Sequence, residues 1–167
     1  SLEELCLGCT KRIRVTRKRA SESGDLRDDS KILEIRVKPG WKAGTKITFE
    51  GEGDEARGVL PGDIVFVVAE KAHDKFKRDG DDLILNQRVS LLQALTECTV
   101  EVPTLDGRTI PVACNEVISP NYTKRISGEG MVNSKSGRKG DIVIKFQIDF
   151  PAHLSEERRA LVRRALG

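Results

Sequence analysis

The feature that most limits what this chain can fold into is that it repeats itself. Ser90-Leu91 through Cys98-Thr99 reproduces the pattern of Ser1-Leu2 through Cys9-Thr10 at a constant offset, with Ala94 answering Leu5. Farther along, Gly128-Glu129-Gly130 answers Gly51-Glu52-Gly53, and Gly140-Asp141-Ile142-Val143 answers Gly62-Asp63-Ile64-Val65. Two copies of one unit share one architecture, so whatever satisfies the first must satisfy the second. Between these landmarks the residues alternate apolar and polar and are rich in β-branched types, which predicts strands. They fall at Cys9–Arg19, Lys31–Val37 and Lys46–Phe49 in the first copy. In the second they fall at Val100–Val102, Thr109–Val112, Lys124–Ile126 and Ile142–Ile148. Ile64–Val68 is continuously apolar and predicts a strand buried on both faces. Ser21–Ser30, polar with Gly24 and the pair Asp28-Asp29, reads as a hairpin connection, and Asp79-Gly80 with Asp81-Asp82 as a turn. Each copy opens on a short helical turn capped by serine. The fold class is therefore mainly β: two β-rich units from an internal duplication, each with a short helix.

The copies differ in two informative ways. The second begins with an additional strand, Leu83–Val89, before its helix, which leads to the expectation of a matching strand upstream of Ser1. Where the first carries Lys11-Arg12-Ile13-Arg14-Val15, the second carries Val100-Glu101-Val102-Pro103-Thr104. The unit can thus be built without the cations. In a strand, Ile13 and Val15 share one face while Arg12 and Arg14 share the other. Such a strand can offer apolar surface and positive charge to an extended acidic peptide. The alternative is a half-buried strand whose lysines and arginines are only solvated.

Charged residues make up 33% of the chain, yet the formal net charge is only +3, so positive character is local. Aromatics are scarce at 4%, which weakens any base-stacking role. A nucleic-acid-binding β-module built on the cationic strand stands as the alternative function. Apolar runs are too short to span a bilayer, nothing resembles a signal peptide, and Ser1 without a preceding Met points to a fragment. Cys6-Leu7-Gly8-Cys9 has the spacing of half a zinc site, but no second pair follows, and His73 and His153 are isolated. No metal and no cofactor is expected. The equivalence of Cys9 and Cys98 makes them small structural residues rather than a redox pair. His73 has no nucleophile beside it and reads as a hydrogen-bonded surface histidine. Without a nucleophile elbow, paired catalytic carboxylates or a metal constellation, the chain is not expected to be an enzyme.

The chain closes on a helix that Ser155 caps, with Glu156 and Glu157 at its positive end and Arg163 and Arg164 at its negative end. Leu154, Leu161, Val162, Ala165 and Leu166 form a narrow apolar stripe. That stripe is covered either by docking back on the second copy or by a helix from another chain.

Several stretches are long enough to be specific: Gly8-Cys9-Thr10-Lys11, Lys38-Pro39-Gly40-Trp41-Lys42 through Phe49, and Phe76-Lys77-Arg78-Asp79-Gly80. Pro103-Thr104-Leu105-Asp106-Gly107 through Pro111 and Gly128-Glu129-Gly130-Met131 complete the set. On these the chain closely resembles the C-terminal substrate-binding region of class B (type II) J-domain co-chaperones, the DnaJ or heat-shock-forty family. The His-Pro-Asp of a J-domain, a Gly/Phe-rich linker and the cysteine-rich zinc module of class A relatives are all missing from this sequence.

The resemblance implies two β-sandwich domains in tandem, here 1–72 and 73–151, and a dimerising helix at 152–167. It implies a groove on the first domain that takes extended client polypeptide and the acidic Glu-Glu-Val-Asp tail of the seventy-kilodalton heat-shock chaperone. By position, the cationic contacts fall on Lys11, Arg12 and Arg14, and the apolar floor on Ile13, Val15, Phe49 and Phe66. The dimer contacts fall on Leu154, Leu161, Val162, Ala165 and Leu166. A homodimeric co-chaperone of the cytoplasm, with the nucleus as a second compartment, is the expectation.

Overall fold

Ser1 starts the first element by capping it. Its hydroxyl accepts from the Glu4 N–H at 3.3 Å while the Glu4 carboxylate accepts from the Ser1 amine at 2.8 Å. This capping box opens α1 (Leu2–Leu7), in a computed structural model that describes residues 1–167. Gly8 turns the chain into β1 (Cys9–Ala20), which pairs antiparallel with β2 (Leu26–Val37) from Cys9↔Val37 to Ala20↔Leu26. This hairpin is longer than alternation predicts. Asp28 and Asp29 are not turn residues: they sit in β2 opposite Lys18 and Arg17, and opposite charges across a ladder let the strands run on. A second antiparallel pair follows, β3 (Lys46–Phe49) with β4 (Ile64–Val67). Here the expectation of a doubly buried strand fails. Val65 and Val67 are 49% and 56% exposed, because β4 pairs only with β3 and nothing covers their face.

The second copy adds β5 (Phe76–Asp79) and β6 (Asp82–Ser90), then α2 (Leu91–Leu95), β7 (Cys98–Pro103) and β8 (Thr109–Cys114). β9 (Thr123–Ile126), β10 (Ile142–Asp149) and α3 (Glu156–Leu166) complete it. β7 pairs with β8 as β1 does with β2, and β9 with β10 as β3 does with β4. Unlike β4, β10 also carries a parallel neighbour, β6, giving a four-stranded sheet in the order β5-β6-β10-β9. The duplication extends to single hydrogen bonds. Gly53 N–H donates to Gly62 O at 2.7 Å, and Gly130 N–H to Gly140 O at 2.9 Å. Asp63 accepts from the Gly51 N–H at 2.8 Å, and Asp141 from the Gly128 N–H at 3.2 Å. The molecule is mainly β, as read from the sequence.

The junction between copies is packed. Leu2, Leu5 and Cys6 of α1 belong to the same apolar cluster as Phe76, Leu83 and Ile144. The Pro39-Gly40 turn lies against the second copy, and Arg78, its side chain only 5% exposed, holds it there. Its guanidinium donates to Trp41 O at 2.8 Å and Gly40 O at 3.4 Å and pairs with Glu70 at 3.4 Å. His73 is hydrogen-bonded: Nδ1 accepts from the N–H groups of Lys75 and Phe76, leaving Nε2–H to donate to Glu3 at 2.7 Å.

Gly40 tests this junction. Its φ is +87°, and a Cβ there would lie 2.2 Å from Val132 O, across the junction. Gly40→Ala is expected to destabilise the fold by roughly 3 kcal/mol or more through strain plus backbone displacement. Gly44 has a similar φ of +88° but open space around it. Gly44→Ala is expected to cost only the strain, about 1 kcal/mol. Equal losses for the two variants in urea unfolding would show that the junction contact contributes nothing.

Candidate functional site: a free strand edge beside an apolar cavity

The β1–β2 ladder divides the cationic run by parity. Odd positions Lys11, Ile13, Val15, Arg17 and Arg19 project to one face, and even positions Arg12, Arg14 and Lys18 to the other. On the odd face, a cavity of about 320 Å³ opens between β1, β2 and β4. Ile13, Ile35, Val37, Ile47, Phe66 and Val68 supply its apolar lining, and Lys11 and Lys71 its positive charge. Ile13 is 36% exposed, so its apolar surface is available to a ligand.

The site residues expected from the sequence are distributed as follows. Lys11, Ile13 and Phe66 line the cavity. Val15 shares their face one step along β1 but does not line it, and Phe49 stands behind Phe66 in an edge-on contact, centroids 5.7 Å apart. Arg12 and Arg14 do not join the lining. Alternation turns them to the outer face, where Arg12 meets Glu34 at 3.5 Å and Arg14 stands opposite exposed Ile32. Lys71 was missed because it lies in the charged connector after β4, where no periodicity distinguishes one lysine from another.

Farther along β1 the inward cations are consumed internally. Arg17, 11% exposed, pairs with Asp29 at 2.9 Å and with Glu52, which Lys31 also reaches at 2.5 Å. Arg19 donates to Gly51 O at 2.7 Å. The run is therefore not a continuous cationic track of the kind a phosphate backbone needs. Lys11 is paired too, with Glu4 of α1, and that contact above all holds the Glu4 carboxyl down to about 2.

The backbone of β1 has a free side. Lys18 N–H donates to Asp54 at 2.8 Å and Ala20 N–H to Glu55 at 3.1 Å, so even-numbered peptide groups point away from β2. The same parity sends the peptide groups of Thr10, Arg12, Arg14 and Thr16 to that edge, where no strand pairs with them. The loop carrying Asp54 and Glu55 closes the far end of the edge and leaves the part beside the cavity open.

At the other end of the molecule, Leu92 and Leu95 of α2, Phe150, Leu154, and Leu161 and Val162 of α3 surround a cavity of about 540 Å³. No residue of α3 is buried; Leu161 is 54% exposed and Leu166 68%. Ala165 and Leu166 lie beyond the cavity lining. No helix is long and apolar enough to cross a membrane.

Two small β-units in tandem, one with an open strand edge over an apolar cleft, define the class of fold. The comparisons agree: the DnaJ C terminal domain model matches residues 1–151, and the chain belongs to that family. It is 45% identical over 170 residues to human DnaJ homolog subfamily B member 13, covering 99% of this chain and 53% of that protein. It is 46% identical over 157 residues to DnaJ protein homolog 1 of Drosophila melanogaster, covering 93% of this chain and 47% of that protein. The mitochondrial protein import protein MAS5 of Saccharomyces cerevisiae is 43% identical over 135 residues, covering 79% of this chain and 33% of that protein. The chain thus spans about half the length of the subfamily B relatives it matches. Membership gives it a chaperone-related role in a family of non-catalytic domains.

The Glu52 cluster makes a pH prediction. Lys31, and then Arg17, hold the Glu52 carboxyl below its ordinary 4.5. A depressed folded value means that this contribution is complete above 4.5 and is lost as pH falls through the lower folded value. Glu52→Gln is expected to be less stable at neutral pH and to lose less stability between about pH 5 and pH 3. Urea unfolding across that range reads both; parallel pH profiles would remove Glu52 from the account.

Proposed function

We propose that the module binds extended polypeptide by strand addition to the free edge of β1, with apolar side chains entering the adjoining cavity. One observation carries this reading: unpaired peptide groups at Thr10, Arg12, Arg14 and Thr16 lie beside an apolar cavity that no side chain of the chain fills. Main-chain hydrogen bonds tolerate many sequences, which suits a domain that holds unfolded clients. An added strand presents its side chains alternately, one set to Ile13 and Phe66, the other to the outer face with Arg12 and Arg14. The three cations retain their expected role under this reading, but on two faces. Acidic residues on the ligand meet Lys11 and Lys71 at the cavity and Arg12 and Arg14 outside. Such a ligand is the acidic Glu-Glu-Val-Asp tail of the seventy-kilodalton heat-shock chaperone, to which clients would then pass for refolding.

A labelled peptide ending in that tail is expected to bind saturably and to weaken with salt. Phe66→Ala and Lys11→Glu are each expected to weaken it by about tenfold or more, near 1.4 kcal/mol per decade. Arg12→Glu/Arg14→Glu is expected to weaken it while leaving an uncharged extended client unaffected. N-methylation of alternate peptide amides in one register is expected to abolish binding. Full binding by both N-methyl registers would refute strand addition, whatever the charge variants do.

We also propose that α3 and the apolar surface around Leu92, Phe150 and Leu161 form a homodimer contact, since that surface is left open within one chain. Sedimentation is expected to show a dimer that Leu161→Asp converts to monomer with the fold intact. A monomeric parent protein at high micromolar concentration would end this proposal.

A further inference from the structure

The duplication carries its own comparison for the cysteines. Cys9 and Cys98 hold equivalent places, each opening the strand that follows a short helix. Across its ladder Cys9 faces Val37, whereas Cys98 faces Cys114. Directly opposed residues of an antiparallel pair project to the same face, so the two sulfurs share one side of the β7–β8 sheet.

The prolines settle which kind of pair this is. Pro103 and Pro111 have no N–H and occupy the pairs Pro103↔Thr109 and Glu101↔Pro111, where no exchange of hydrogen bonds is required. Thr104 N–H donates to Arg108 O at 2.9 Å in the other parity. Cys98↔Cys114 belongs to that hydrogen-bonded parity, for which Cα atoms stand about 5.5 Å apart. Disulfides most often span about 5.5–6 Å between Cα atoms, so the Cα spacing suits a bridge, and the Cβ atoms of such a pair, about 5.5 Å apart, have to close by about 1 Å to form it. Both thiols are free in the structure, Cys98 partly exposed and Cys114 0% exposed.

We propose that Cys98 and Cys114 are a redox modification site, at which a hydroperoxide converts the thiol pair into a cross-strand disulfide. Cys98, the accessible member, reacts first. Its thiolate attacks one peroxide oxygen, the O–O bond breaks, and the departing hydroxide takes a proton to leave as water. Cys98 is then a sulfenic acid. The Cys114 sulfur attacks the Cys98 sulfur, the S–O bond breaks, and the hydroxide leaves with the Cys114 proton as a second water. Two thiols and one hydroperoxide thus give one disulfide and two waters when the oxidant is hydrogen peroxide. The order of events follows from the surroundings of Cys114. Burial, with the neighbouring Cys98 sulfur, pushes its thiol up, which keeps it protonated until a sulfenic acid stands beside it. The bond closes the β7–β8 hairpin at its open end, directly after α2, and staples a ladder that the first copy leaves unlinked.

The test is peptide mapping of the whole chain after brief treatment with equimolar hydrogen peroxide, followed by alkylation under denaturing conditions. The expected product is a peptide pair joined through Cys98 and Cys114, two hydrogens lighter and restored by dithiothreitol, with Cys6 and Cys9 alkylated. Cys114→Val copies the residue that the first unit places at the same point, Val37. In that variant Cys98 is expected to stop at the sulfenic acid, captured by dimedone. Several results overturn the proposal: a Cys6–Cys9 bridge, a Cys98–Cys98 bridge between chains, over-oxidised Cys98 beside an intact Cys114 thiol, or no reaction at Cys98. The mapping of the parent protein decides the matter even if the variant fails to fold.

Discussion

Everything around the β1 cleft depends on how α1 and the Pro39-Gly40 turn are held against the second copy. Outside α1 and the glycines Gly40 and Gly53, the first copy buries only Leu33 and Ile35 below a tenth of their surface. Two short ladders with so little buried between them have no large core of their own. Their orientation comes instead from Leu2, Leu5 and Cys6 in the shared cluster and from Arg78 bonded to the carbonyls of Gly40 and Trp41. The buried Arg78 charge is compensated by Glu70 and by three backbone acceptors, on Gly40, Trp41 and Gly80, which a guanidinium fork can engage together. Gly40 belongs to the same arrangement, since only a residue without Cβ lets the turn approach Val132. The cleft can stay open because the packing that positions it lies elsewhere.

Period-two alternation then sorts the charge. A run that looks uniformly basic along the chain becomes three populations in space. Arg17 and Arg19 point inward and are absorbed by Asp29, Glu52 and backbone carbonyls. Lys11 points to the cleft but is balanced by Glu4, so the cleft does not carry a bare charge there. Arg12 and Arg14 stand outside, beside Ile32, with Glu34 as the one nearby acid paired to Arg12. Exposed pairs of that kind contribute little to stability, so the fold makes little use of these two charges.

Much of this was legible in the sequence, and the exceptions have a common cause. The duplication, most of the strand positions and the serine caps all follow from local pattern. What local pattern does not contain is the identity of the neighbour. Ile64–Val67 has the composition of a doubly buried strand, yet its burial depends on a sheet partner and a covering layer that β4 does not have. Asp28-Asp29 has the composition of a turn, but Arg17 and Lys18 across the ladder make it strand. Lys71 enters the cleft only because the chain leaves β4 beside β1. Charge density singles out β1, while the division of its cations between two faces becomes visible only once the cavity is located.

The two copies also show where a duplicated fold is free to specialise. They retain the features that hold the backbone: serine caps, the glycine pair bridged by an N–H···O bond, and the aspartate that anchors the loop before it. They diverge at side chains that project from the paired hairpins. Lys11 and Ile13, which line the cleft in one copy, become Val100 and Val102 in the other, converting a cleft wall into buried core. At these positions the second copy buries the hairpin face that the first leaves open. An open cleft needs apolar surface left uncovered, whereas a packed core needs that same surface filled. Tandem duplication assigns these opposed requirements to separate copies of the same backbone.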